Sequence, residues 1–241
     1  MSKFLGWLSV VFVISLGYPV PLHADIADSV MILPKDGFAV AYAPRFLCPL
    51  AVAWDIRKSD LTGVKKRPSL SFRTDYDAPA PRAKSRDYVR TGYDRGHLCP
   101  AADRKSNMSR YRATFIMTNV APMCPALNRG PWKHAEVLTR AAAGRFGLVH
   151  ARCGVILEQI CSQFLGRSAV AVPSAFWRLV YTLQPDTLVS CWVLANDSTC
   201  LRAGAGLVPL DSLRHVADSA YLPTFLRDGG RQYKPIFKFD L

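Results

Sequence analysis

The sequence holds no C-x₂-C pair, and none of its five histidines has a second one at metal-ligand spacing. Zinc sites are built from closely spaced Cys and His, so a zinc-organised fold is excluded. The same absence removes the marker of a dithiol redox or metal-storage protein. There is no internal repeat, no low-complexity tract and no long linker. The nearest approach to a composition break, "DAPAPRAKSR" at 77–86, is too short to separate domains. Long apolar runs are also scarce. Phe4 to Leu16 is the start of one, but it falls short of the roughly 20 residues that span a bilayer, and Pro19 and Pro21 follow it. With Lys3 before it and "PLHA" ending on Ala24, the segment 1–24 is built like a cleaved secretory signal peptide rather than a membrane anchor. Export to a periplasm or out of the cell is expected, with no membrane association after cleavage. Residues 25–241 would then form one domain.

Acid is the other deficit. The chain carries 18 Asp and Glu against 31 Lys and Arg, and the excess is uneven: residues 45–112 hold 16 basic and 7 acidic side chains, a local charge of +9. Such a surface suits a polyanion, because each phosphate neutralised releases condensed counterions. A soluble protein that merely happens to be basic would look the same by charge alone. Half of the 241 residues are apolar, enough for a sizeable core. Seven cysteines (48, 99, 124, 153, 161, 191, 200) are expected to pair in an exported protein, leaving at least one over. Cys191 with Cys200, and Cys153 with Cys161, are close in sequence, though sequence cannot fix the connectivity.

Periodicity predicts strands over 38–44 and 50–57, a buried strand over 112–120, and a loop in "APMCP". A helix should begin at Pro131 and stop at Gly144. The β-branched runs around 147–157, 168–183 and 187–196 predict central strands. A second helix lies within 207–226, capped by Asp211 or Ser212. The expected fold class is α+β, with a central, mostly antiparallel sheet and helices packed on it.

The stretch "TGYDRGHLCPAADRKSNMSRYRATFIMTNVAPMCPALNRGPWKHAE" (91–136) concentrates groups suited to phosphodiester hydrolysis. That reaction needs a base for the attacking water, a group to steady the phosphate and a cation for the leaving oxygen. In "DRGH", Arg95 and His97 are two apart and share one face of an extended segment. Gly96 between them would let an anion approach the backbone. A lone histidine is more often structural, but the basic setting favours chemistry here. Asn128 and Glu136 straddle the expected helix start and could hold a hydrated Mg²⁺. Equally, Asn128 could cap the turn and Glu136 sit on the surface.

"GYDRGHLCPAAD" followed by "ATFIMTNVAPMCPALNRGPWKHAE" resembles the DNA/RNA non-specific endonuclease family, one of the ββα-metal (His-Me finger) nucleases. "VAVPSAFWRLVY" (170–181) is similar to that family's V-P-x-x-F-[WY]-[KR] strand, and 207–226 resembles its closing helix. The resemblance implies a ββα finger made from strands around 93–98 and 114–120 and the helix from 131. It implies His97 as general base, Arg95 at the phosphate, and Asn119 holding His97 in place. Asn128 would be the direct ligand of Mg²⁺ (or Mn²⁺), with Glu136 orienting the metal's waters. The substrates it implies are DNA and RNA. Three departures stand out. Met123 replaces a glutamine. Cys99 replaces a small residue, so that Cys99 and Cys124 flank the site either as a bracing disulfide or as free thiols. The upstream arginine that touches the phosphate could be Arg67 or Arg73. A non-catalytic nucleic-acid-binding protein would need only Lys, Arg and stacking aromatics, not the intact His97–Asn119–Asn128–Glu136 set.

Overall fold

A computed structural model describes residues 30–64, 69–158, 161–199, 206–217, 219–227 and 234. The expected signal peptide, residues 1–24, and Arg67 lie outside them. Among the described residues no helix is long and apolar enough to cross a membrane.

The chain forms one large antiparallel sheet. Strands β1 (Met31–Lys35), β2 (Phe38–Ala43), β3 (Cys48–Arg57), β6 (Leu148–Ile156), β9 (Ala175–Tyr181), β10 (Val189–Ala195) and β11 (Leu207–Val208) lie side by side in that order. Between β3 and β6 the chain leaves the sheet to build a second unit. It contains β4 (Asp94–His97), α1 (Met108–Ala113), β5 (Val120–Met123), α2 (Pro125–Arg129) and α3 (Pro131–Phe146). β7 (Phe164–Leu165) and β8 (Val170–Ala171) make a small ribbon, and α4 (Leu210–Val216) and α5 (Thr224–Arg227) close the described chain. The α+β class with a mainly antiparallel sheet is what the sequence predicts.

Alternation along the strands divides the core into two faces. From β3, Val52, Trp54 and Ile56 point to one face, where they meet Trp132, Ala135, Ala142 and Ala143 of α3. Trp177 and Leu179 of β9 point to the other, where Leu213 and Ala217 at α4, together with Leu222 and Leu226, cover them. β9 is therefore buried along its whole length, with both faces covered. This explains why it appears in the sequence as a continuous apolar run rather than an alternating one.

Several boundaries differ from expectation. Of the strand expected over 112–120, only Val120 is in one, as the first residue of β5. Asn107 caps α1 by accepting hydrogen bonds from the backbone N–H groups of Ser109 and Arg110, and the segment then turns through a 3-10 element at Met117–Asn119. The second strand of the finger is β5, inside the expected loop. β4 and β5 pair only with each other, and a proline is tolerated in such an edge strand, as Pro122 is here opposite Arg95. α3 runs through Gly144 and ends at Gly147, whose φ of 80° suits glycine alone. Neither Asp211 nor Ser212 caps α4; Pro209 occupies the N-cap position without a side-chain hydrogen bond, and Asp211 lies in the first turn. The apolar run at 168–183 is split at Pro173 into β8 and β9.

Candidate active site

β4, α2 and α3 line a cavity of about 650 Å³, whose wall includes Phe72, Arg95, His97, Asn128, Lys133 and Glu136. Arg95 and His97 share a face of β4, as their spacing requires. Gly96 points away from the cavity and is buried. A Cβ on Gly96 would lie 2.6 Å from Met123 Cβ and 2.7 Å from Met123 Cε. The glycine is therefore demanded by cross-strand packing against Met123, not by the approach of an anion as the sequence suggested. Gly96→Ala is expected to cost about 1–3 kcal/mol through overpacking, measured as a lower thermal midpoint. An unchanged midpoint would show slack between β4 and β5.

The His97 ring is wedged between aromatic neighbours. Its centroid lies 4.9 Å from that of Phe72 and 5.0 Å from that of Phe115, the latter edge-on. The backbone around it is fixed too. Trp132 Nε1 donates to the His97 carbonyl at 3.1 Å. Asn119, fully buried, accepts the Cys99 N–H through Oδ1 at 2.9 Å and donates Nδ2 to the carbonyls of Cys99 and Thr114, both at 3.0 Å. Its own carbonyl accepts the Leu98 N–H at 3.0 Å. Asn119 thus staples the two residues that follow His97 to the turn before β5. Arg95 is held by its Nε and one terminal nitrogen, which donate to the Ser85 carbonyl at 3.2 and 2.6 Å, and it lies over the rings of Phe72 and Tyr88.

At the opening of α3, Asp94 organises its neighbours. Its Oδ2 accepts Asn128 Nδ2 at 2.9 Å, and both its oxygens take the Arg129 guanidinium, at 2.8 and 2.9 Å. Burial pushes the Asp94 carboxyl up, but the hydrogen bonds from Arg129 and Asn128 and the charges of Arg129 and Arg95 outweigh it. The net position is below the usual carboxylate range. Because Nδ2 is committed to Asp94, the Asn128 end that can face a cation is Oδ1.

Glu136 lies on α3 deeper in the cavity. Its Oε1 is 4.0 Å from Arg178 and its Oε2 3.8 Å from Arg140, with 16% of the side chain open. Burial pushes its carboxyl up to about 7, with Arg178 pulling down, Asp103 pushing up, and Arg140 and Lys133 pulling down. The opening to the cavity lets water soften that upward push. Among the described residues no three His, Cys, Asp or Glu side chains converge as a metal cage. One amide oxygen and one nearby carboxylate suit a hydrated divalent ion of the Mg²⁺ kind, which keeps most of its water. The donor set fits that ion: Asn128 could hold it and Glu136 could face its waters.

Not every expected residue arrives. Arg73 does not line the cavity. Its backbone pairs with Ile116, Phe72 beside it takes the inward direction, and its guanidinium reaches the Arg112 carbonyl at 3.5 Å. The six described cysteines, 48, 99, 124, 153, 161 and 191, are all free thiols, and Cys200 lies outside the described residues. Cys153 and Cys161 are thus unpaired, and Cys99 and Cys124 do not bridge. His97 pairs with Val120 and Asp94 with Met123, so these two cysteines extend from opposite ends of the ribbon. At about 3.3 Å per residue they are more than about 13 Å apart, beyond the roughly 7 Å a disulfide allows. Burial pushes the Cys99 thiol up, leaving it an inert neutral group. Sequence reasoning missed Asp94, Arg129, Arg140 and Arg178. The one usable signal was a charge at Arg178 inside an otherwise apolar strand.

Comparison with known proteins identifies the family and the fold. The chain is 26% identical to human mitochondrial endonuclease G over 210 residues, covering 81% of this chain and 71% of that protein. It is 29% identical to the mitochondrial nuclease of Saccharomyces cerevisiae over 220 residues, covering 82% of this chain and 65% of that one. A crystal structure of the EndoG/EndoGI complex, described as showing the mechanism of EndoG inhibition, shares the fold. Its TM-score is 0.71 at 21% identity, over 82% of this chain and 86% of that one. The family profile described as DNA/RNA non-specific endonuclease matches residues 22–225. The chain belongs to the DNA/RNA non-specific endonuclease family.

Proposed function

We propose that this family member is a Mg²⁺-dependent endonuclease that hydrolyses phosphodiester bonds in both DNA and RNA with little regard to sequence. The observation that carries the reading is the convergence of His97, Arg95, Asn128 and Glu136 on one cavity. Arg129, Lys133, Lys105 and Arg140 add to its cationic wall. His97, its ring held by Phe72 and Phe115, accepts the proton of the attacking water. Arg95 steadies the phosphate. Asn119 keeps the His97 segment in register, and Asn128 and Glu136 hold the metal and its waters. A bound Mg²⁺ (Mn²⁺ serving as well) supplies charge to stabilise the leaving oxygen. The cationic lining by Arg95, Lys105, Arg129, Lys133 and Arg140 suits phosphate, the part of a nucleic acid that carries no sequence, which supports loose substrate choice. Export belongs to this reading, resting on Lys3, the apolar run from Phe4 to Leu16 and the small residue at Ala24.

The test is to incubate the purified protein with supercoiled plasmid and with RNA, in Mg²⁺ and in excess EDTA. Both substrates are expected to be degraded at many positions in Mg²⁺ and spared in EDTA. Cleavage that persists in EDTA would point to a metal-free phosphodiesterase. Salt-sensitive binding without cleavage would leave a nucleic-acid-binding protein that keeps the fold.

A further inference from the structure

We propose that Arg178, in the middle of β9, is a positioning residue for Glu136: it supplies the buried positive charge that holds that carboxylate at the cavity wall. The inference rests on the reading of Glu136 given above.

Arg178 is fully buried in a strand whose every residue is buried. A cation there is costly unless something answers its charge. None of its three guanidinium nitrogens has a hydrogen-bond partner among the described residues. Instead the group lies in a slot between two indoles, its carbon 4.5 Å from the ring centroid of Trp132 and 5.4 Å from that of Trp54. Indole faces attract a cation but do not neutralise it. The ion-pair partner is Glu136, with Nη2 to Oε1 at 4.0 Å. Arg140 also approaches Glu136, but it is committed to Asp103 at 3.0 Å, and Asp103 is completed by Trp54 Nε1 at 3.0 Å. Asp103 answers Arg140, which leaves Arg178 and Glu136 to answer each other. A buried ion pair seldom outdoes packed apolar side chains for stability, so the charge at 178 is explained by what it does for Glu136 rather than by the fold's needs.

The variants are Arg178→Met, Arg178→Lys, Glu136→Gln and the double Glu136→Gln/Arg178→Met, each in the full chain and checked for native near-UV circular dichroism. Mn²⁺ binding to the protein alone is followed by calorimetry, beside initial rates of plasmid cleavage. Arg178→Met is expected to weaken Mn²⁺ binding and slow cleavage by about 10- to 100-fold, the range for losing an outer partner of a metal site. Arg178→Lys, which restores the charge, should recover most of both. The double variant should match Glu136→Gln, because a residue acting through Glu136 has nothing left to act on. Native Mn²⁺ affinity in folded Arg178→Met overturns the proposal, as does a lysine no better than methionine. Losses that multiply in the double variant overturn it too. Should Arg178→Met not fold, the double variant removes both charges together and carries the test: Mn²⁺ binding weaker than in Glu136→Gln refutes it. Failure of the underlying reading looks different, since the native protein would then neither bind Mn²⁺ nor cut, whatever stands at 178.

Discussion

Replacing His97 by Ala is expected to lower cleavage by about 10²- to 10⁴-fold, the usual range for a lost general base, while leaving nucleic-acid binding nearly untouched. The imidazole is one side chain in a cavity walled by Arg95, Lys105, Arg129, Lys133 and Arg140. Removing it takes away a proton acceptor but no cation and neither member of the Asp94–Asn128 pair. Its backbone anchors, the Trp132 and Asn119 hydrogen bonds, involve main-chain atoms and survive the substitution. The comparison is cleavage rate in Mg²⁺ against affinity in Ca²⁺. A folded His97→Ala that cuts at the native rate would make the histidine structural. The native rate should also rise with pH, because Glu136 acts as a carboxylate and burial pushes its carboxyl up to about 7. As pH falls through that range it takes a proton and the rate should fall. Asp94, held below the usual carboxylate range, stays charged throughout and contributes nothing to that limb.

The site was legible in the sequence where chemistry depended on local period, and illegible where it depended on what the chain returns to. Two residues of separation put Arg95 and His97 on one face of any extended segment, so their convergence needed no tertiary knowledge. The same alternation, applied to Phe72 and Arg73, decides which of the pair enters the cavity, but only once Arg73 is known to pair with Ile116. Asn119 closes on Cys99 across 20 residues, and no spacing rule anticipates a double clamp of that kind. β5 was misplaced because Pro122 resembles a loop marker, and its tolerance follows from a ribbon with open edges. Gly96 was noticed for the wrong reason: only the register opposite Ala121, next to Met123, shows what occupies its missing side chain. Arg178 was visible as a charge in an apolar strand. Its meaning required Trp54 from β3 and Trp132 and Glu136 from α3.

Asn128→Ala should produce a loss of a different kind from His97→Ala: the apparent Mg²⁺ affinity falls, and raising the metal concentration restores some of the rate. The side chain offers a cation one oxygen, and alanine offers none. The loss should exceed the about 10- to 100-fold typical of an outer partner. Asp94→Asn isolates the orienting role of its neighbour. An amide can turn over, presenting nitrogen or oxygen, and Asp94, having only acceptors, forces Asn128 to face it with Nδ2. An asparagine at 94 could accept or donate, so Asn128 would no longer be held with Oδ1 toward the cavity. One negative charge near the cation would also be lost, and Arg129 would lose its bidentate partner. All these effects act in the same direction, and a loss of about 10- to 100-fold in apparent metal affinity is expected, smaller than for Asn128→Ala. Cleavage followed across a Mg²⁺ titration, with Mn²⁺ binding to the protein alone beside it, gives the ordering. If Asn128→Ala keeps the native metal dependence, the cation is held elsewhere in the cavity and Asn128 serves only to tie Asp94 to the start of α3.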